Sequence, residues 1–537
     1  MRRVRYPAVS RTTGLRLLLL FAAGAMVSGV GLRLGIQPND EGLMLQAAAR
    51  IADGQVPYRD FWWFYPPGQP YLLAGLQELF GPSLLPWRVV RVLCDAGVGV
   101  LVYVLALRAA SPRLAMGAWA VGVLAMATPS GPHPFPLTLV CCLGALVALD
   151  RRGRAGLVTA GVLCGVAAAW RLEFGAGLGA AIMLGLALGR RTELPSHRWR
   201  DVLWFAATAI ATGLALYLPV VLQAGAAESW ELLIRYPLLD FGDYQRLPFP
   251  LVYDGPLNVS SPGGFLSDTL ENLLLFYVPL VLVVGLAAAL GALALRWRRL
   301  DATDIATAAF AVVMLQYLLA RADEFHTAPL AVMVAILGAW AIGRRGEPRD
   351  IARAGPAVAT ATAVLAAAAL AYTGVVGADR RVRAVTAPAT PIASPVADGV
   401  RAGDAHDEGL NDVLRFLRRR TDPGEPIYVT TRRADLVTAG NPLLYVLAGR
   451  PNPTAYDIQA PGVVTSAPVQ REIIDDLRRA NVRYVVRDTS PITAADEPSR
   501  AGESSGVRLL DEELRRAYAP VRRFGPFIVL ERRTLGS

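Results

Sequence analysis

Residues 15–41, LRLLLLFAAGAMVSGVGLRLGIQPNDE, decide what kind of protein this is. From Leu15 to Ile36 the run is largely apolar for 22 residues. At 1.5 Å per residue that is enough for a helix to cross a hydrocarbon layer of about 30 Å. It ends at Pro38 and opens into Asn39-Asp40-Glu41, two adjacent carboxylates where such a helix leaves the membrane. The basic start before it (Arg2, Arg3, Arg5) is that of a signal peptide. No small-residue cleavage site precedes Pro38, so the run reads as a retained first span.

Runs of the same kind recur at 88–107, 114–128, 136–149, 155–170, 174–189, 202–223, 270–295, 303–320, 327–342 and 356–376. The fold class expected is an α-helical polytopic membrane protein with about 11 spans. Composition agrees: of 537 residues 53% are hydrophobic and 18% charged. Lys is absent, so all 54 basic residues are Arg, which points to a GC-rich genome. The net charge of +10 does not imply nucleic acid, because the arginines punctuate apolar runs instead of forming one basic face. The short loops and the N-terminus hold 21 of them. The opposite loops hold six (Arg50, Arg59, Arg171, Arg235, Arg246, Arg321), or eight with Arg88 and Arg91. That bias places the N-terminus in the cytoplasm and, with an odd number of spans, the C-terminal domain outside. Cys94, Cys141, Cys142 and Cys164 all lie inside apolar runs, so neither a disulfide framework nor finger-type zinc spacing is present.

The division expected is 1–377 as the membrane domain, with outer loops 37–87 and 224–269, then 378–409 as a linker and 410–537 as a small extracytoplasmic α/β domain. The first outer loop reads as a helix from Asp40 to Ala52, a turn at Asp53-Gly54, an aromatic stretch from Tyr58 to Tyr65, Pro66-Pro67-Gly68, and a helix to Phe80. Leu43, Ala47 and Ile51, like Leu72, Leu76 and Phe80, recur at helical spacing, as in helices lying in the membrane interface. Phe61-Trp62-Trp63-Phe64 reads as an interfacial aromatic belt before a sugar-stacking platform. The last domain alternates helix (410–420, 470–480, 512–518) with strand (426–430, 482–486, 526–531) and has no phosphate-binding glycine loop.

Locally, Asn39 or Asp40 can be a helix cap and nothing more. The longer segment DEGLMLQAAARIADGQVPYRDFWWFYPPGQPYLLAG (40–75) adds to that reading. It resembles the first outer loop of the GT-C glycosyltransferases, in particular the protein O-mannosyltransferase and lipid A aminoarabinose-transferase branch. The likeness rests on Asp40, Glu41, Ala48, Gly54, Pro57, Pro66, Pro67 and Tyr71, and on the topology. It implies an enzyme that moves a sugar from a polyprenyl-phosphate carrier to a hydroxyl of a bacterial envelope acceptor, on the outer face of the cytoplasmic membrane. It further implies Asp40 as general base in an inverting displacement. Glu41 would position Asp40 or an arginine, or serve as a second acid. Many relatives carry Lys before the Pro-Pro pair, where this chain has Tyr65.

A lipid-linked phosphate needs cationic or hydrogen-bonding partners at the same depth. Candidates at the outer ends of spans are Arg88, Arg91, Arg171, Arg321 and His326, with Tyr65 as a hydroxyl donor and Tyr58, Glu173, Asp323 and Glu324 in support. Each also has a plainer reading: Arg91 pairing with Asp95 at i,i+4, and Arg171 and Arg321 as interfacial anchors. Asp240, Asp243 and Tyr244 in the second loop are weaker candidates for shaping the acceptor site, and His133, His197 and His406 carry no assignment. No cofactor is required; Asp323-Glu324 offers a divalent ion two carboxylates without a clear full ligand set, and metal dependence stays open. The rivals are a transporter or flippase, disfavoured by the lack of an internal repeat, and a non-catalytic GT-C-like binding protein.

Overall fold

Each apolar run up to residue 343 forms a helix where it is described, although the first ends at Gly29 and not at Ile36, because Ala, Leu and Val carry neither a competing side-chain hydrogen bond nor a charge to desolvate. In this computed structural model α1 (Arg11–Gly29) leads into α2 (Asp40–Ala52) and α3 (Gly68–Phe80) of the first long loop. The body continues with α4 (Leu85–Ala106), α5 (Pro112–Leu124), α6 (Phe135–Leu149), α7 (Arg154–Trp170), α8 (Leu172–Leu188) and α9 (Arg198–Ala224). After the second long loop come α10 (Glu271–Ala294), α11 (Ala302–Ala320) and α12 (Glu324–Gly343). The residues described are 11–126, 135–151, 153–190, 198–253, 255, 257–261, 269, 271–294, 299–343, 374–375, 377–403, 409–460, 462–493 and 499–533. Six of these helices are long and apolar enough to cross a membrane by length and composition, while α6, α7 and α8 are apolar but shorter. The expected run 356–376 lies almost wholly outside the described residues, as do His133, His197 and His406. The chain is a multi-pass membrane protein.

Two devices hold the body together. Gly161 and Gly165 sit one turn apart on α7, and α9 crosses over them. A Cβ on Gly165 would lie 2.7 Å from the Ala209 carbonyl oxygen, the close approach that small residues at i and i+4 allow. At the short-loop end Arg108 ion-pairs with Asp150 and, at 2.8 Å, with Asp301. Asp301 also caps α11 in a capping box with Asp304. On its other face α9 exposes Leu203, Ile210, Leu214, Leu218 and Leu222, an apolar stripe suited to acyl chains.

Beyond the body, residues 377–386 are helical, and β1 (Thr390–Pro391) pairs antiparallel with β2 (Arg401–Ala402). The stretch expected as a linker is therefore packed where it is described. Buried Arg381 donates to the carbonyls of Val27, Val123, Leu124, Met126 and Gly377, and the Arg401 amide donates to the Arg33 carbonyl at 2.8 Å.

The C-terminal domain contains α13 (Leu410–Arg420), β3 (Ile427–Thr430), α14 (Leu443–Ala448), α15 (Ala467–Arg479), β4 (Tyr484–Asp488), α16 (Leu509–Ala517), β5 (Tyr518–Phe524) and β6 (Phe527–Arg532). Its sheet runs β3-β4-β6-β5, with β3 and β4 parallel and the other pairs antiparallel. Side chains alternate between two cores. Ile427, Tyr484, Val486, Phe527 and Val529 pack with α13 and α14, whereas Tyr428, Val485 and Leu530 pack with α15 and α16. The first core also takes in Leu45 of α2 and Leu84 before α4, so it is continuous with the first long loop.

That continuity changes the reading of α2. The helix has the expected limits, but its apolar face is covered by protein: residues 41–48 are all buried, with α3 on one side and α14 on another. A Cβ on Gly42 would come within 2.7 Å of the Leu443 Cα. The aromatic run is likewise no belt. Phe61, Trp63 and Phe64 are buried, and Trp62 and Phe64 pack edge-on against Tyr236 of the second long loop.

Replacing Gly165 by Leu forces α7 and α9 apart, and we expect the melting temperature of the detergent-solubilised protein to fall by several degrees. Gly117→Leu, at a site with nothing within 4 Å of its Cβ, leaves it unchanged. Equal melting temperatures for both variants would refute this account of the packing.

Candidate active site

Adjacent residues on a helix point about 100° apart, and at the start of α2 that separates two carboxylates. Glu41 turns inward. Its oxygens accept from Arg88 Nε and Nη2, each at 2.8 Å, and neither side chain has any exposure. Arg88 spends its remaining donors on the carbonyls of Leu32, at 3.2 Å, and Gly35, at 2.9 Å, where the chain leaves α1. Glu41 is thus paired with an arginine, and Nε, Nη1 and Nη2 of Arg88 all donate within the fold. Arg91, one turn further, lies over the Trp87 ring at 5.9 Å. Asp95 accepts from Ser28 Oγ at 2.5 Å. Neither arginine joins the groups around Asp40.

Asp40 turns the other way and is half-buried. Among the described residues its carboxylate has one long contact, 3.5 Å from the Asn39 amide. Around it the fold gathers Tyr65 from before the Pro-Pro pair, Arg171 and Glu173 from the α7–α8 turn, Tyr317 from α11, and Arg321, Asp323 and His326 from the α11–α12 turn. These are the groups that act on one another electrostatically or by contact. All are half-buried except Glu173, which is exposed.

The two turns present their cations alike. Arg171 and Arg321 are both extended residues that end one helix just before the next begins (φ −145° and −152°). In each case Nε donates to an acid two residues on, Glu173 at 2.7 Å and Asp323 at 2.6 Å. The guanidinium of Arg171 also lies between the rings of Tyr65, 5.7 Å away, and Tyr317, 5.6 Å away. Arg321 Nη1 donates to the Gln245 carbonyl at 2.8 Å, which ties in the second long loop. Asp323 caps α12 by accepting from the amides of Phe325 and His326. It also meets His326 Nδ1 at 2.6 Å, and the His326 ring stacks on Tyr317. Tyr58, with a positive φ of 71°, donates its hydroxyl to the Tyr65 carbonyl at 2.7 Å and so fixes that segment.

Burial pushes the Asp40 carboxyl up to about 6; Arg321 and Arg171 pull it down while Asp323 adds to the rise. Burial also raises the Tyr65 phenol, and the charge of Asp40 raises it further, so Tyr65 remains a hydrogen-bond donor. Asp323 behaves in the opposite way. Burial acts to raise it, but the hydrogen bonds and charge of His326, with Arg321, outweigh that and hold it at about 2. The site is therefore a carboxylate of raised basicity facing two oriented cations and a neutral phenol.

Of the expected site residues, Asp40, Tyr65, Arg171, Glu173, Arg321, Asp323 and His326 come together, while the side chain of Glu324 lies outside the described ones. In the second long loop Asp240 pairs with Arg235, and Tyr244 sits under Arg500 of the C-terminal domain at 4.4 Å. Tyr317 joins the residues around Asp40 without being among the expected ones, although a lone tyrosine in an apolar span one turn before Arg321 was the available signal. Among the described residues no three His, Cys, Asp or Glu side chains converge as a metal ion requires.

Neither a protein-family profile nor a curated protein sequence matches this chain. Solved structures do. ArnT from Cupriavidus metallidurans in the apo state matches over 97% of this chain and 98% of its own, with a TM-score of 0.57 at 14% identity. The same protein bound to undecaprenyl phosphate gives 0.56 at 16%, with the same coverage. The apo oligosaccharyltransferase from Archaeoglobus fulgidus gives 0.53 at 14%, over 89% of this chain and 70% of its own. The arabinofuranosyltransferase AftD from Mycobacteria gives 0.51 at 17%, over 99% of this chain but 40% of that one. All are GT-C glycosyltransferases, and the fold of this chain is the GT-C fold.

The Glu41–Arg88 pair supplies a test of the site's foundation. Glu41→Leu alone strands a buried guanidinium, at a cost of about 3–5 kcal/mol. We expect it to lower the melting temperature more than Glu41→Leu combined with Arg88→Met. A double variant as unstable as the sum of the two singles would show that they do not act as a pair.

Proposed function

We propose that this protein is a glycosyltransferase that moves a sugar from a polyprenyl-phosphate donor to a hydroxyl acceptor at the outer face of the bacterial cytoplasmic membrane. The observation that carries the reading is Asp40, a carboxylate raised to about 6 that shares its surroundings with Arg171 and Arg321. The match to a GT-C protein bound to undecaprenyl phosphate supports the class of donor. The distribution of arginines supports an N-terminus in the cytoplasm and a C-terminal domain outside.

In this reading ionised Asp40 accepts the proton of the acceptor hydroxyl as its oxygen attacks the anomeric carbon. The bond from that carbon to the phosphate oxygen breaks with inversion, and the polyprenyl phosphate leaves carrying the electron pair. Arg171 and Arg321, held through Nε by their neighbouring acids, stabilise the charge that develops on the leaving phosphate, and the Tyr65 hydroxyl donates to it. Tyr65 in this role answers the missing Lys. His326, oriented by Asp323 and Tyr317, borders the same space and contacts the phosphate or sugar. Glu41 and Arg88 act one step removed, by fixing the helix that carries the base.

The test is transfer by purified protein in nanodiscs, offered a panel of radiolabelled polyprenyl-phosphate sugars with envelope lipids, glycans and proteins as acceptors. Wild type should transfer, and Asp40→Asn should lose about 10²–10⁴ in kcat. Because the base must be ionised, kcat/KM should fall as pH drops below about 6. Arg321→Gln removes a cation that favours the ionised form, so that limb should move to higher pH. Full activity in Asp40→Asn would remove it as the base, and lipid or solute movement without transfer would favour a transporter.

A further inference from the structure

We infer that the C-terminal domain is a working part of this site, and that Arg50 and Asp457 are positioning residues for Asp40. The inference rests on the transferase reading. Asp40 has one long hydrogen bond among the described residues, so its place is set by the helix that carries it. That helix, α2, is 13 residues long. At its far end, about 15 Å from Asp40 at 1.5 Å per residue, Arg50 reaches into the C-terminal domain. Its Nε donates to Asp457 Oδ2 at 2.7 Å and its Nη2 to Oδ1 at 2.9 Å. Nη2 also donates to the Thr454 carbonyl at 2.6 Å, and Nη1 to Gln55 at 2.9 Å. Asp457 is held in turn by Asn452 Nδ2 at 2.9 Å. Both partners of the pair are buried.

The 452–457 loop supports the opposite wall as well. The carbonyl of Ala455 accepts from the Trp62 amide at 2.9 Å, three residues before Tyr65. Closer to Asp40, the Leu443 amide donates to the Pro38 carbonyl at 3.1 Å, and Gly42 lies against the Leu443 backbone. One domain thus sets both the helix of the base and the strand-like segment of the phenol. An apolar contact would dock the domain as well or better, since a buried ion pair recovers little of its desolvation cost. A bidentate Arg–Asp pair adds a fixed rotation and translation of α2, and a base misplaced by about 1 Å loses roughly a hundredfold in rate.

The experiment compares Arg50→Gln, Asp457→Asn and the conservative Asp457→Glu with wild type, full length in nanodiscs. The readouts are transfer kinetics, binding of undecaprenyl phosphate, and amide hydrogen exchange along the chain. We expect kcat to fall about a hundredfold in Arg50→Gln and Asp457→Asn, with partial recovery in Asp457→Glu. Undecaprenyl phosphate should bind as to wild type, and exchange should rise in residues 40–52 but not in α7 or α8. Unchanged kcat, unchanged exchange in α2, or exchange raised across the whole chain would each overturn the inference. If wild type transfers no sugar, the transferase reading fails, and the exchange of α2 still decides whether this pair holds the helix.

Discussion

The ion pair between Glu41 and Arg88 is the constraint on which the site depends. Two charges with no exposure are stable only when each satisfies the other and the spare donors find acceptors. Arg88 meets that condition by taking the carbonyls of Leu32 and Gly35. The exit of α1, the start of α2 and the start of α4 are thereby fixed to one guanidinium. Glu41 also sits in the first turn of α2, where the helix dipole favours an anion. With Glu41 directed inward, the geometry of the helix sends Asp40 toward Arg171 and Arg321.

What faces Asp40 is built from interruptions. Each arginine is an extended residue directly after a helix, Arg171 alone between α7 and α8 and Arg321 first of the three residues between α11 and α12, a position where a side chain is released from helical packing and can enter a cleft. The acid two residues on does two things: it neutralises part of the desolvation cost and it fixes the rotamer. Ionisable groups at membrane depth are expensive, and the paired acids, the carbonyl of Gln245 and the rings of Tyr65 and Tyr317 are how the cost is met here. The C-terminal domain closes the arrangement from the other side, because its core runs without a break into Leu45 and Leu84.

Local signals were legible in the sequence, and distant ones were not. The limits of α2 could be read because Pro38-Asn39-Asp40 opens a helix and Asp53-Gly54 closes it, and α3 follows from Pro66-Pro67 and its spacing. The turns carrying Arg171 and Arg321 stood out as charges between apolar runs. The partner of Glu41 did not, since Arg88 lies 47 residues away with no shared pattern. Arg50 and Asp457, 407 residues apart, are further still from anything local. Strand β5 was missed because Pro520, Arg522 and Arg523 read as loop, which is how an exposed edge strand is protected. The stretch 378–409 has the composition of a linker. Its described part is tied down by Arg381, which donates to carbonyls of other helices, and the aromatic run is buried for a similar reason, by packing with Tyr236.

In the proposed reaction Arg171 and Arg321 receive the phosphate of a polyprenyl carrier beside Asp40. The most direct measurement is a cryo-electron microscopy structure of the protein in nanodiscs loaded with undecaprenyl phosphate. Phosphate density is expected within hydrogen-bonding distance of both guanidiniums and the Tyr65 hydroxyl, with the Asp40 carboxylate facing the space next to it. Phosphate bound elsewhere on the protein, or an α7–α8 and α11–α12 cleft that stays empty at saturating lipid, would contradict it.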